Sequence, residues 1–140
     1  MNYKKFGNKI IVRIDRGEEI ISSLKQICVE NNIKAGIISG IGAANKAEIG
    51  VYNPETKIYK KEEITGNNEI TSLLGNISEM NGEVYLHLHI TLINEDFKTI
   101  GGHLNSAFVG GTLEAVIEVL GGEGLNRERD EQIGLNLLAI

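Results

Sequence analysis

The sequence has no tryptophan, one proline and one cysteine, and aromatic residues make up only 5% of its 140 positions. A lone cysteine, Cys28, excludes an intrachain disulfide framework, which fits a reducing compartment. A single proline, Pro54, excludes a Pro-rich disordered tail. No apolar run approaches the ~20 residues needed to cross a bilayer. The basic residues near the N-terminus (Lys4, Lys5) precede no apolar stretch of the kind a signal peptide carries. A soluble, cytoplasmic protein is the expectation. Basic charge is also scarce: 14 Lys and Arg stand against 19 Asp and Glu, for a net charge of −5. DNA binding mainly through phosphates needs a basic face, so that balance disfavours it, although a local basic face on an acidic protein stays open.

What the chain does have is glycine, 17 in all, within an ordinary globular composition of 41% apolar and 24% charged residues. Its length is that of one domain, residues 1–140, able to bury about 70% of the surface its unfolded form exposes. Glycine without proline points to bends and bulges inside ordered structure.

The β-branched run Ile10–Ile14 reads as a strand. After Asp15-Arg16-Gly17, residues Ile20, Ile21, Leu24, Ile27 and Cys28 recur on one face of a helix, with Glu18 and Glu19 expected in its first turn. Cys28 lies on the apolar face, where packing is its expected role. Asn31-Asn32 ends the helix. Ala35 to Tyr52 reads as a strand interrupted by a bulge at Gly40-Ile41-Gly42, and Asn53 to Thr56 as a turn. Lys57 to Ile64 reads as an edge strand and Ile70 to Ile77 as another. A polar link closes at Gly82. Val84 to Ile93 alternates most clearly, with Thr99 to Val109 as its hairpin partner. Leu113, Val116, Ile117 and Leu120 have helical spacing, which predicts a second helix over Thr112 to Leu120. Asn126 to Gln132 reads as a solvated charged stretch. Ile133, Leu135 and Leu137 alternate as a closing strand. The predicted class is α+β: one mainly antiparallel, or mixed, sheet with two helices.

All three histidines fall close together in the sequence. His87 and His89, at i and i+2 of the clearest strand, share a face about 6.6 Å apart. The position of His103 depends on the hairpin register. A three-residue loop, Glu95-Asp96-Phe97, sets Leu88 opposite Leu104, Ile90 opposite Gly102 and Leu92 opposite Ile100, which gathers the apolar side chains on one face. The same register sets His89 opposite His103, with His87 diagonal to the pair. A two-residue loop would mix the two sets, so the hydrophobic pattern selects the register that clusters the imidazoles. Three such rings suit zinc or another first-row divalent metal, and a fourth, open position would suit zinc-hydroxide chemistry. The simpler reading of the same residues is a hydrogen-bonded or solvated polar cluster. Gly101-Gly102 would let a backbone or ligand approach closely.

Other chemistries fare worse. Gly40-Ile41-Gly42-Ala43-Ala44 lacks the third glycine of a dinucleotide loop. No serine sits in a nucleophile elbow. Glu114 and Glu118 read as the solvated side of the second helix, with Glu114 in reach of a neighbouring polar site. Arg127 and Arg129 are too few, and too mixed with Glu128 and Asp130, to form a nucleic-acid patch.

The segment Leu86-His87-Leu88-His89, followed by Gly101-Gly102-His103-Leu104 and Thr112-Leu113-Glu114, resembles the PPC domain, the plants and prokaryotes conserved domain. Arg13 with Gly17-Glu18 is similar to the family's opening R…GE, Gly40-Ile41-Gly42-Ala43 to its GIGA-type bend, and Gly66 through Gly75-Asn76 to the segment that holds G-R-F-E-I-L in plant members. The resemblance spans nearly the whole chain in order. It implies a mainly antiparallel sheet assembling as a homotrimer, with His87, His89 and His103 as a metal site. It also implies a regulatory role, DNA-associated or through protein contacts. An AT-hook needs Arg-Gly-Arg-Pro, and Pro54 follows Asn53, so the minor-groove reader is absent. The plant motif's Arg-Phe is replaced by Asn67-Asn68. The expectation is a regulatory or interaction module without an AT-hook. The alternative is a metal-dependent hydrolase or lyase acting on a small molecule at the three histidines, with no general base assigned.

Overall fold

A computed structural model describes residues 1–140. In chain order it contains β1 (Asn2–Phe6), β2 (Lys9–Asp15), α1 (Ile20–Glu30), β3 (Gly36–Asn53), β4 (Ile58–Met80), β5 (Glu83–Asn94), β6 (Thr99–Val119), β7 (Arg127–Asp130) and β8 (Leu135–Leu138). The six strands β1 to β6 form one sheet in the order β1-β2-β6-β3-β4-β5, every pair antiparallel. β5 also pairs with β6, so β3, β4, β5 and β6 close into a ring.

Closure needs long strands that bend. Register shifts between Gly40 and Gly42, and between Ala44 and Lys46, bend β3. Another between Ile70 and Ser72 bends β4. An extra residue on one strand raises local twist and redirects the chain. The expected bulge at Gly40–Gly42 is therefore present. Lys57 to Ile64 was expected as a separate edge strand. Ile58 onward is instead the first part of the long β4, pairing there with β3 alone. Gly75 is required where β4 meets β5: a Cβ there would overlap the His87 carbonyl oxygen and crowd Leu88.

Two turns fix the register of β5. Met80 pairs with Glu83, and the intervening Asn81 and Gly82 both have positive φ, 54° and 79°, which matches the right-handed twist of a two-residue hairpin. At the other end, Asn94 Oδ1 accepts the backbone N–H groups of Asp96 (3.1 Å) and Lys98 (2.9 Å). The loop is Glu95-Asp96-Phe97, as expected. Leu92 then faces Ile100, Ile90 faces Gly102 and His89 faces His103.

The core joins the inside of the ring to one face of α1. Leu73, Ile77, Leu88, Ile90, Leu92 and Leu104 fill it from the strands, and Ile20, Leu24, Ile27 and Cys28 from the helix. Glu18 and Glu19 precede the helix rather than lying in its first turn. Glu19 is the N-cap, accepting from Ile21 N (3.1 Å) and Ser22 N (2.6 Å), and it also accepts from Ala107 N in β6. Glu18 pairs instead with the N-terminal ammonium at 2.6 Å.

The second helix is absent: Thr112 to Val119 is the last part of β6, with β2 on one side and β3 on the other. Leu113, Ala115 and Ile117 point inward and are fully or almost fully buried, a period of two. The four apolar residues that matched a helix omit Ala115 and include Val116, which lies on the opposite face. Glu114 and Glu118 are strand residues on that opposite face, cross-strand from Arg13 and Lys9.

The closing strand is real but does not join the main sheet. β7 and β8 form a separate two-stranded sheet, tied to β4 where Glu79 N donates to the Leu125 carbonyl. Asn126 to Gln132 is not uniformly solvated either, because Arg127 is buried.

Candidate metal centre

Inward Leu88, Ile90 and Leu92 force His87 and His89 onto the outer face of β5, and His103 joins them from β6 by facing His89. The structure thus brings together all three residues singled out from the sequence. Their ring centroids are 5.2 Å (His87 to His89), 5.2 Å (His87 to His103) and 5.5 Å (His89 to His103) apart. One nitrogen from each ring lies within 4.8 Å of the others. The Nε2 atoms of His87 and His89 approach to 3.3 Å. With Zn–N bonds of about 2.0–2.1 Å, adjacent nitrogens of a tetrahedral centre stand ~3.3–3.4 Å apart, so this pair is spaced as one edge of such a centre. The donor set fits a first-row divalent ion. No carboxylate or thiolate joins the cluster.

Burial holds two of the rings in the form a metal requires. His87 is pushed down to about 4, first by loss of solvent and then by the repulsion that its protonated form would meet from His103, Arg127 and His89. His103 is lowered too, by burial and then by His89. Both are neutral near pH 7, with lone pairs free to coordinate. His89 is exposed and gives the centre an open side.

The backbone beneath is close in contact at its glycines. A Cβ on Gly102 would come within 2.7 Å of the Gly50 carbonyl oxygen, so the expected close approach is made by a neighbouring strand. Tyr59 stands edge-on to His103, 6.3 Å between ring centres, and its hydroxyl donates to Asn105 Oδ1 at 2.9 Å. The amide nitrogen of Asn105 is buried without an acceptor.

On the other flank lies a residue that the sequence did not single out for the site. Arg127, carried by β7, donates from Nε to Ser78 Oγ (2.8 Å), and through its two terminal nitrogens to the Asn136 carbonyl (2.7 Å) and Asn76 Oδ1 (2.7 Å). Its guanidinium stacks over Tyr85, 4.9 Å from the ring centre. Asn76 is the cross-strand partner of His87, and Ser78 that of Tyr85. Arg127 therefore sits over the same outer face, directly beside the cluster. No local pattern marks it, because its side-chain partners, Ser78 and Asn76, lie some 50 positions away along the chain. Glu114 takes no part: it is at the β2 end of β6, opposite Arg13 and Ile41. Cys28 is inert, its thiol pushed up to about 12 by burial.

Comparison with known proteins agrees with this geometry. A crystal structure from Bacteroides thetaiotaomicron, described as a candidate DNA-binding protein, is 42% identical with a TM-score of 0.94, covering 98% of this chain and 95% of that one. A metal-containing protein from Archaeoglobus fulgidus is 35% identical with a TM-score of 0.90, over 100% of this chain and 99% of that one. A plant- and prokaryote-conserved protein from Pyrococcus horikoshii is 33% identical with a TM-score of 0.89, over 99% and 95% of the two chains. Among curated proteins none matches significantly. The model of the Plants and Prokaryotes Conserved (PCC) domain matches residues 1–121. The histidine pattern, the closed sheet and this match have one reading: the chain belongs to the Plants and Prokaryotes Conserved domain family.

Proposed function

We propose that the chain is a homotrimeric, cytoplasmic regulatory module in which His87, His89 and His103 hold a divalent metal ion, zinc by preference. It acts as one domain over residues 1–140, through protein contacts rather than by gripping DNA. The observation that carries the reading is the convergence of three imidazoles, one nitrogen from each within 4.8 Å of the others. Burial keeps two of them unprotonated at neutral pH, and a relative that covers the whole chain contains metal. Three neutral ligands leave the ion its full charge and a free coordination position.

Trimer formation is supported by the outer face itself. Ile11, Val116, Ser39, Leu74 and His89 follow one another across β2, β6, β3, β4 and β5 in a single cross-strand row. Beside that row lie Ile37 and Ile41. Ile41 is 62% exposed, Leu74 55%, Ile37 48% and Ile11 42%. An apolar strip of this kind is a surface for another chain. It runs into the histidines, so copies packed on it would border the metal. Two of the similar structures are described as candidate DNA-binding proteins. For this chain, the charge of −5 favours contact with proteins. No helix is long and apolar enough to cross a membrane.

Elemental analysis and light scattering on the purified protein test the reading together, with a DNA mobility-shift assay at low salt. One divalent ion per chain, a mass of three chains and unshifted DNA are expected. A metal-free monomer that takes up no added zinc would overturn it, and a low-salt DNA shift would overturn the protein-contact role.

A further inference from the structure

The charge around the histidines is unbalanced in one direction. Arg127 is buried, 8% exposed, and each of its three hydrogen bonds ends on a neutral acceptor: a hydroxyl, a backbone carbonyl and a side-chain amide. It takes part in none of the ion pairs of the molecule. A guanidinium has five N–H groups, so two remain free. Asn76, which receives one of those bonds, faces His87 across the strand pair, where opposite Cβ atoms stand about 4.5–5.5 Å apart. A divalent ion on three neutral rings would add two further positive charges beside this cation, again without a counter-charge. Buried charges of one sign are costly until an opposite charge joins them. The free donors beside the cluster are those of Arg127, and no carboxylate joins the three histidines.

We propose that the site takes a small oxyanion, a carboxylate- or phosphate-bearing molecule, held between the histidine-bound ion and the Arg127 guanidinium. The inference rests on the metal reading above and deepens it. It also gives the C-terminal hairpin a role. β7 and β8 lie beyond the residues matched by the family model. The hairpin is fastened on one side to Ser78 and Asn76 by Arg127. On the other, the Tyr52 hydroxyl donates to the Ile133 carbonyl (2.8 Å) and Lys57 Nζ to the Glu131 carbonyl (3.1 Å). It thereby delivers a cation to a face whose own strands supply only neutral ligands.

The test uses the full-length protein loaded with cobalt(II), whose visible spectrum reports its ligands. Acetate, inorganic phosphate and, as a neutral isostere, acetamide are titrated into the wild type, Arg127→Lys and Arg127→Gln. In the wild type, one of the anions is expected to perturb the spectrum saturably, about tenfold or more tighter than acetamide. Whichever of acetate and phosphate binds tighter identifies the class of oxyanion. Arg127→Gln is expected to weaken the anion about tenfold or more while cobalt binding stays equal or becomes tighter, since a repelling charge is gone. A purely structural arginine would instead loosen both. Arg127→Lys keeps the charge without the fork and is expected to fall between, and it decides the matter if the glutamine variant does not fold. Cobalt bound but a spectrum indifferent to both anions overturns the inference and leaves the metal reading standing. Folded variants that bind anions as the wild type does have the same result. Failure of the wild type to bind cobalt overturns both.

Discussion

The two faces of the β5–β6 hairpin differ as much as two sides of one strand pair can. One presents Leu88, Ile90, Leu92 and Leu104, all exposed by 2% or less. The other presents His87, His89 and His103, partly open to solvent. A period of two separates them, so neighbouring residues serve different ends: the inner face holds the ring closed and the outer face gathers the candidate ligands. Stability and metal binding should therefore respond to different substitutions, even adjacent ones.

The largest effect is expected on the inner face. Leu88→Ala removes a side chain packed within the closed ring and should cost about 2–5 kcal/mol in denaturant unfolding. The folded fraction should still bind its full complement of metal, because neither neighbouring ring changes face. Loss of metal from folded Leu88→Ala protein would break the separation. His103→Ala should do the reverse, weakening zinc binding by about a hundredfold or more in competition with a chelator, as one of three ligands disappears.

The third expected effect comes from acid and sharpens the contrast within the site face. In metal-free protein, His87 takes up its proton only at about 4, and His103 is lowered as well. The unfolded chain binds those protons at the ordinary histidine value, near 6.5. Stability should be full above about pH 6.5 and fall as the pH drops toward about 4, on the order of 1 kcal/mol for a half-exposed group. Urea unfolding across that range checks it; in the His87→Ala variant the slope should shrink. The smallest effect belongs to His89. Exposed and without a core role, His89→Ala should change the thermal stability of metal-free protein by no more than about 0.5 kcal/mol.

The same contrast explains what could be read from the sequence. Around the β5–β6 hairpin, alternation on both strands and a short loop left one register compatible with a buried apolar face, and that register brought the histidines together. At Thr112 to Val119 the pattern misled. Outward Val116, on the apolar strip, and small inward Ala115 blur the strand period, and four residues fit a helix by coincidence. α1 could be found because Ile20, Leu24, Ile27 and Cys28 repeat at helical spacing, but its cap could not, since Glu19 is held in part by Ala107 far along the chain. Arg127 was out of reach for a similar reason. Amid Glu128, Arg129 and Asp130 it reads as solvated, and only the docking of the C-terminal hairpin onto Asn76 and Ser78 buries it. Local periodicity specifies which face a strand residue takes; it carries no information about what a distant segment will lay over that face.

The central claim is that the outer face of this hairpin is a metal centre built from three histidines. Equilibrium dialysis against zinc, with metal counted per chain, tests it most directly in the wild type and in the His87→Ala/His89→Ala/His103→Ala triple variant. One tightly held ion per wild-type chain and none in the folded triple variant is the predicted result. Equal zinc in both proteins, or none in the wild type, would contradict it.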